Sequence, residues 1–244
     1  MIILSSYPRS GHHFLIETLG YFNNTMTYCE KYTCENQFRE AQQHCPYYAR
    51  TQHPDVDPTP CGLHARIQKT HDHELDEPIR RDTGTRYLVM IRDPVPAILS
   101  RYRTDLLHHD HWHGDQKEFQ QYFVNQLYYY TGFAAKWIRE GGEYLSEKHL
   151  PGYYHDSFQD HQRVYVTYED LVSDPDCLML AMKYLSPGPL HRFLDSKRSE
   201  ILSFVEHPVY QKPDYYDAKF CKRELAKHNL GYLRKRDGSA LIEY

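Results

Sequence analysis

The hydrophobic residues of this chain follow two different spacings, one typical of strands and one typical of helices. Short apolar runs suited to strands occupy residues 2–6, 65–69 and 86–91, and a further run is centred on Val164 and Val166. The run at 86–91 is nearly continuous, as expected for a parallel strand that is covered on both faces. These segments predict the strands of a mainly parallel sheet.

Apolar residues three and four positions apart predict helices between and after these strands. The helical series are Leu15, Leu19 and Phe22; Val95, Leu99, Tyr102 and Leu106; Phe119, Phe123, Leu127, Tyr130, Ala134 and Trp137; and Leu178, Met182 and Leu185. Strands that alternate with helices indicate an α/β fold in three layers, with the sheet between two layers of helices. Because the sequence shows no internal repeat and no convincing linker, we expect residues 1–244 to form a single domain.

Residues 23–64 show neither spacing and carry several prolines. We expect loops there, with one short helix at about 37–43, and the stretch is long enough for a lid or an insert that shapes a binding site. Four of the six cysteines fall in it: Cys29, Cys34, Cys45 and Cys61. Their spacings match no paired zinc motif, so both reduced structural thiols and disulfides in an oxidising compartment are compatible with the pattern.

The amino-acid composition of the chain narrows the classes of function that it can have. The chain has 244 residues, of which 40% are hydrophobic and 25% charged, an ordinary globular balance. Its net charge of −4 argues against broad nucleic-acid binding, which needs many lysines and arginines. No apolar run approaches the roughly 20 residues of a membrane-spanning helix, and the first residues lack the features of a secretory signal. We therefore expect a cytoplasmic location, with the Golgi lumen as the alternative if the sequence is the lumenal part of a longer protein.

The segment that joins the first strand to the first helix is suited to bind an anion. It reads Ser-Tyr-Pro-Arg-Ser-Gly-His-His-Phe over residues 6–14. Backbone N–H groups and the positive end of a helix converge there. Arg9 adds a fixed charge, Gly11 lets the backbone approach a ligand closely, and Ser10 offers a hydroxyl. Taken alone, the segment is equally compatible with an ordinary capped helix start.

A second cationic group follows the strand at residues 86–91. Arg92-Asp93-Pro94, with Ser100 further on, places a guanidinium and a hydroxyl at another strand end. Carboxyl ends of parallel strands meet at one edge of a sheet, where ligands gather. Two such positions suit a ligand with two phosphates.

With these two motifs the sequence resembles the sulfotransferase family. The first loop of that family reads Tyr-Pro-Lys/Arg-Ser-Gly, and its second motif reads Arg-x-x-Pro with a serine eight positions after the arginine, the spacing of Arg92 and Ser100. Tyr168-Glu169-Asp170-Leu171 is similar to a third family segment. The resemblance implies a P-loop-like sulfotransferase fold and transfer of a sulfuryl group from 3′-phosphoadenosine-5′-phosphosulfate to a hydroxyl or amine of a small-molecule or carbohydrate acceptor. It also implies that adenosine 3′,5′-bisphosphate is the product and that no metal is required.

The resemblance also implies which residues hold the donor. The 5′-phosphosulfate would be held by Arg9, Ser10, Gly11, His12, His13 and Phe14, with Phe14 near the adenine. Arg92 and Ser100 would hold the 3′-phosphate, and Tyr168 would lie near the adenine base of the nucleotide. The C-terminal third departs from the family pattern, because only residues 234–238 loosely echo the segment that closes the 3′-phosphate site, and no dimer motif is apparent.

Lys69-Thr70-His71 resembles the family segment in which the histidine is the catalytic base. An imidazole with an ordinary pKa near ~6.5 can accept a proton at neutral pH. Lys69 would stabilise charge on the sulfuryl group, and Arg9, which stays protonated, would stabilise the leaving oxygen. Some carbohydrate-modifying branches use a carboxylate base, so three carboxylates stay open as rivals to His71: Glu17, Asp72 and Glu74.

Three other interpretations of the sequence stay open, one for the histidine-rich stretch and two for the function of the chain. The histidine-rich residues 108–113 can form a loop that faces the acceptor or a transition-metal site, and we favour the loop. A P-loop kinase is the main functional rival, but the chain lacks Gly-x-x-x-x-Gly-Lys-Ser/Thr and with it the usual magnesium-binding hydroxyl. A noncatalytic nucleotide-binding protein is the other.

Overall fold

The computed structural model describes residues 2–22, 28–30, 67–76, 79, 85–108, 113–150, 163–186, 188–203 and 213–242. The helix expected at about 37–43 lies outside the described residues, as do Cys34, Cys45 and Cys61.

Strands within this part of the chain form one six-stranded sheet. They are β1 (Ile2–Ser6), β2 (Tyr28–Glu30), β3 (Ile67–Thr70), β4 (Arg86–Ile91), β5 (Gly142–Tyr144) and β6 (Arg163–Thr167). Their order is β2-β3-β1-β4-β6-β5, and every neighbouring pair is parallel. The predictions of β1, β3, β4 and β6 are confirmed within the described residues. The expectation of only loops and a short helix at 23–64 is wrong at β2, and β5 was also missed, because three-residue strands are too short to show a spacing.

Helices cover both faces of the sheet. The structure gives α1 (His12–Phe22), α2 (Pro94–His108), α3 (Gln116–Ala134), α4 (Tyr168–Ser173), α5 (Pro175–Leu185), α6 (Pro189–Ser196), α7 (Arg198–Leu202) and α8 (Ala218–Leu225). A π-helix, Ala135–Arg139, continues α3, and a 3-10 turn covers Glu147–His149. The predicted three-layer α/β fold with a parallel sheet is confirmed.

Side chains of β4 alternate between two hydrophobic cores. Tyr87, Val89 and Ile91 belong to the core under α2 and α3, whereas Leu88 and Met90 belong to the core under α1 and α5. All five are fully buried. The nearly continuous apolar run predicted from the sequence is therefore explained by burial on both faces.

Short polar side chains set where several helices begin. Asp115, Thr167, Asp174 and Asp217 each accept a hydrogen bond from a backbone N–H in the first turn of the following helix. Such caps satisfy donors that have no partner inside the helix. In the part of the chain that the structure describes, no helix is both long and apolar enough to cross a membrane.

The parallel sheet brings several loops to one edge. The segments that follow β1, β3, β4 and β6 all start at the carboxyl ends of their strands. From β1 the chain passes to strands on one side of the sheet, and from β4 to strands on the other side. The direction in which the chain adds strands to the sheet therefore reverses between β1 and β4. In open parallel sheets, ligands bind at such a position.

The two-sided core predicts unequal effects of two matched substitutions. Leu88→Ala removes a fully buried side chain at the centre of the sheet and should lower the free energy of unfolding by about 2–5 kcal/mol. Leu107→Ala, at a side chain that is 82% exposed, should change it by less than about 0.5 kcal/mol. Urea denaturation measures both, and equal losses would contradict this description of the core.

Candidate active site

A cleft of about 280 Å³ opens at the carboxyl edge of the sheet. Its walls come from the segments after β1, β3, β4 and β6. They are lined by Pro8, Arg9, Gly11, His12, His13, Phe14, His71, Arg92, Ser100 and Tyr168. The structure thus brings together every site residue predicted from the sequence except Ser10 and Lys69, which do not line this cleft.

The loop after β1 has an unusual backbone that is tied to β4. The N–H of Tyr7 donates to the carbonyl of Met90 at 3.1 Å, and the N–H of Ser10 donates to the carbonyl of Tyr7 at 3.2 Å. Arg9 and Gly11 have φ angles of +66° and +83°. A positive φ is uncommon for arginine and costs of order 1–3 kcal/mol, so the surrounding contacts must enforce it.

The ring of Tyr168 packs against this loop. A Cβ atom at Gly11 would lie 2.2 Å from Cδ2 of Tyr168, which only glycine avoids. The guanidinium carbon of Arg92 lies 4.4 Å from the centroid of the same ring, within cation–π range. The ring therefore contacts the first loop on one side and the second cation on the other.

Two guanidinium groups reach the cleft from neighbouring strands. The Nε of Arg9 donates to Oγ of Ser100 at 3.1 Å, which joins the loop after β1 to α2. The Nε of Arg92 lies 4.0 Å from Oε1 of Glu169, and that oxygen also accepts the N–H of Asp93 at 3.1 Å. Burial raises the pKa of Glu169 to about 6. The side chain of Arg92 is only 12% exposed, so its charge lies in a partly desolvated setting.

Two buried polar atoms, one in this loop and one in the first residue of α1, have no hydrogen-bond partner among the described residues. They are Oγ of Ser10 and Nε2 of His12, and both residues are buried. A buried polar atom without a partner costs about 1–3 kcal/mol, so such atoms are rare unless a ligand satisfies them. Together with the two guanidinium groups, they fit a phosphorylated ligand.

His71 follows β3 directly and faces the cleft. Its Nδ1–H donates to the carbonyl of Ser6 at 2.8 Å, and the hydroxyl of Tyr129 donates to the carbonyl of His71 at 2.5 Å. Burial, and then the charge of Lys69, lower the pKa of His71 to about 3. The ring is therefore neutral at physiological pH, and because Nδ1 holds the proton, the lone pair lies on Nε2.

Lys69 acts on the cleft through its charge. It is 4% exposed in β3. The positive charge of its ammonium group contributes to lowering the pKa of both His71 and His12.

The rival carboxylates are placed poorly for a base. Glu17 and Glu74 are exposed and do not line the cleft. The carboxylate of Asp72 is fully buried, and its Oδ2 lies 2.6 Å from Nζ of Lys136 and accepts Nε1–H of Trp137 at 2.8 Å. Consecutive positions of the π-helix supply both partners. Asp72 therefore anchors the backbone next to His71 to the end of α3.

Sequence analysis missed the roles of three residues of this site. Ser6 and Glu169 fall within the motifs at 6–14 and 168–171, but their contacts with His71 and with Arg92 and Asp93 join distant segments, and so does the contact of Tyr129 with His71. Tyr129 lies in the tyrosine run at 128–130, a composition feature that core packing explains equally well.

The basic C-terminal segment is tied to α4 and α5. The backbone N–H of Arg236 donates to Oδ2 of Asp170 at 2.9 Å, and its guanidinium lies 2.5 Å from Oδ2 of Asp174. Arg236 does not line the cleft, so its observed role is to fasten this segment to the helix that follows β6.

The structure gives only a partial view of the candidate metal ligands and cysteines. Within the described residues, no group of three or more histidine, cysteine, aspartate or glutamate side chains could hold a metal, and residues 109–112 of the histidine-rich stretch lie outside them. Cys177 and Cys221 are buried free thiols.

Fold and cleft together define an α/β protein with a cleft that holds two arginines at the carboxyl edge of its parallel sheet. The family profile described as Sulfotransferase domain matches residues 1–183 of the 244. The chain therefore belongs to the sulfotransferase family, and the predicted family is confirmed. No curated protein and no solved structure matches the chain significantly. Every loop that lines the cleft lies within the matched residues, so the chain is an enzyme of sulfate transfer.

The contact between Gly11 and Tyr168 predicts opposite effects of two glycine substitutions. Gly11→Ala should lower the free energy of unfolding by about 1–3 kcal/mol or more, because the methyl group meets the ring and φ is positive. Gly20→Ala, in α1 with no atom within 4 Å of the added carbon, should raise it by about 0.5–1 kcal/mol. Chemical denaturation compares the two, and a stable Gly11→Ala protein would contradict the described packing.

Proposed function

We propose that this enzyme transfers a sulfuryl group from 3′-phosphoadenosine-5′-phosphosulfate to a hydroxyl or amine of a small-molecule or carbohydrate acceptor, with His71 as the general base. The observation that carries the proposal is the convergence of Arg9, Arg92 and His71 on one cleft. Two cations on neighbouring strand ends suit a nucleotide with two separated phosphates, and the imidazole stands beside them.

Donor binding follows from groups that the cleft already holds. The acceptor oxygen or nitrogen would form a bond to sulfur while the bond from sulfur to the 5′-phosphate oxygen breaks, and adenosine 3′,5′-bisphosphate would leave. Arg9, Ser10 and His12 would bind the 5′ side, because they supply a guanidinium and two buried polar atoms that lack a partner among the described residues. Arg92 and Ser100 would bind the 3′-phosphate. Phe14 and Tyr168 add aromatic surface to the same cleft.

His71 is suited to remove the proton of the acceptor. Its low pKa keeps it neutral, and the bond from Nδ1–H to the carbonyl of Ser6 leaves Nε2 as the only basic nitrogen. When Nε2 takes the proton, that bond stabilises the resulting imidazolium. A very low pKa limits the strength of a base, so a bound anion that raises it would assist the step.

Positive charge around the reacting group would come from Arg9 and Lys69. Arginine stays protonated at neutral pH, so Arg9 would stabilise the leaving oxygen and not donate a proton to it. Lys69 is buried in β3, so solvent would screen its charge only weakly as it acts on the developing charge. No residue in this scheme needs a metal.

The sequence and the described residues do not select an acceptor. The segments expected to shape its pocket lie at 23–64, 108–116 and 141–162, and most of these residues are outside the described part of the chain. The cytoplasmic location and the single-domain organisation of residues 1–244 stay predictions.

Calorimetry separates this proposal from a P-loop kinase. Adenosine 3′,5′-bisphosphate should bind in the absence of magnesium, because the cleft supplies its positive charge from arginines. A kinase would instead bind ATP in a magnesium-dependent manner. Binding of ATP with magnesium, and none of the bisphosphate, would contradict the proposal.

Removal of the imidazole tests the mechanism. His71→Ala should lower kcat by roughly 10²–10⁴-fold, because general-base catalysis contributes about that much, and should leave the affinity for adenosine 3′,5′-bisphosphate nearly unchanged. Sulfate transfer from labelled donor to a panel of phenols, sugars, amines and alcohols measures the rate. His191→Ala, on α6 and away from the cleft, is the control. Undiminished activity of His71→Ala would overturn the role of His71.

A further inference from the structure

Ser6 lies between two histidines of the cleft. It is fully buried at the end of β1. Its carbonyl accepts Nδ1–H of His71 at 2.8 Å, and its Oγ lies 3.3 Å from the same nitrogen and 3.4 Å from Nδ1 of His12. Both imidazole rings therefore turn Nδ1 toward the same serine, and neither uses Nε2 to contact it.

Counting protons fixes the state of each ring. A carbonyl only accepts hydrogen bonds, so Nδ1 of His71 must carry a proton. Oγ of Ser6 has two lone pairs and could accept from both rings, but its own hydrogen would then lack a partner. Among the contacts of the described residues, Nδ1 of His12 is the atom that can take this hydrogen, because Nδ1 of His71 is protonated. Nδ1 of His12 then accepts, and a neutral ring with an acceptor at Nδ1 has its N–H at Nε2.

The surroundings keep His12 neutral. Burial is the largest cause that lowers its pKa, well below the ordinary range. The positive charge of Lys69 and the rings of His71 and His13 lower it further, and so does Arg9. No group among these causes favours the charged form, so His12 stays neutral and keeps one N–H across the physiological range of pH.

Within the part of the chain that the structure describes, the N–H of His12 has no acceptor. Nε2 is buried and without a hydrogen-bond partner, although His12 is one of the residues that line the cleft. Oγ of Ser10, two residues earlier, is in the same condition. The N–H of His12 thus lacks a partner in a region that also holds the unsatisfied hydroxyl of Ser10 and the positive charge of Arg9. This combination indicates an anion oxygen as the missing partner.

We propose that Ser6 holds His71 and His12 in opposite tautomers, so that His71 presents a lone pair as the base while His12 presents an N–H to the 5′-phosphate of the nucleotide. Ser6 is a positioning residue, and His12 is the residue that touches the ligand. This inference rests on the proposed function for the identity of the ligand, but the two tautomers are properties of the free protein.

Nitrogen NMR of the histidine rings tests the tautomers directly. In protein with ¹⁵N-labelled histidine, long-range proton–nitrogen correlations should show His71 protonated at Nδ1 and His12 protonated at Nε2. The signals are assigned from His71→Gln and His12→Gln. Addition of adenosine 3′,5′-bisphosphate should shift the Nε2–H signal of His12. A His12 protonated at Nδ1, or one whose Nε2–H does not respond to the ligand, would overturn the inference.

Binding of adenosine 3′,5′-bisphosphate to variants tests the role of His12. His12→Ala should weaken binding by roughly three- to tenfold, the loss expected for one hydrogen bond. His12→Gln keeps a neutral N–H donor and should stay within about twofold of the wild type. Because the donor is neutral, the ratio between wild type and His12→Ala should be the same at about pH 6 and about pH 8. A ratio that collapses at the higher pH would show a cationic His12 and contradict the inference.

Variants of two neighbouring serines test the role of Ser6. Ser6→Ala should weaken binding about as much as His12→Ala, and the double variant should be no weaker, because Ser6 acts through His12. Ser5→Ala is the matched control, since Ser5 is also fully buried in β1 but its hydroxyl has no partner. If the losses of affinity in Ser6→Ala and His12→Ala added up in the double variant, Ser6 would not act through His12. If the bisphosphate bound the wild type and all variants equally, this inference would fall while the proposed function stood; if it did not bind the wild type, the proposed function would fall.

Discussion

The parallel pairing of β1 with β4 determines where the cationic groups of the cleft lie. Ser6 stands opposite Met90 in the register of these strands, and the first residue of the loop continues the ladder through its bond to the Met90 carbonyl. Arg9 and Arg92 therefore start from adjacent strand ends. A shift in this register would move one guanidinium along the edge and separate the two positions. The strand pairing thus fixes how far apart the backbones of Arg9 and Arg92 lie, whatever rotamers their side chains adopt.

The second constraint is electrostatic. Positive charge is concentrated at this edge by Arg9, Lys69 and Arg92. Burial and this charge lower the pKa of His12 and His71, so both rings are neutral. Concentrated like charge destabilises the free protein, and the carboxylate of Glu169 offsets part of it at Arg92. In the proposed function, a polyanionic nucleotide would relieve the rest. The same positive charge would then favour nucleotide binding and keep His71 neutral, as a general base must be.

The sequence predicted the frame of the molecule well and the supporting contacts of the site poorly. β1 and β4 carry buried apolar runs, and motifs at strand ends follow them, so both the fold and the lining of the cleft could be predicted. Asp72 was read as a rival base because a sequence shows only its position next to His71. Its burial against Lys136 and Trp137 depends on the π-helix, and no spacing of hydrophobic residues in the sequence predicts a π-helix. The roles of Ser6 and Glu169 were missed for a related reason, since the contacts of Ser6 with His71 and of Glu169 with Asp93 join segments far apart along the chain.

The central claim is that Arg9 and Arg92 hold two different phosphates of one nucleotide. Calorimetry with adenosine 3′,5′-bisphosphate and adenosine 5′-monophosphate tests it in the Arg9→Ala and Arg92→Ala variants, with circular dichroism to verify the fold. Arg92→Ala should weaken binding of the bisphosphate by at least roughly tenfold, as expected for loss of a charge-assisted contact, and should leave the monophosphate within about twofold. Arg9→Ala should weaken both ligands. Equal losses of both ligands in Arg92→Ala would contradict the account.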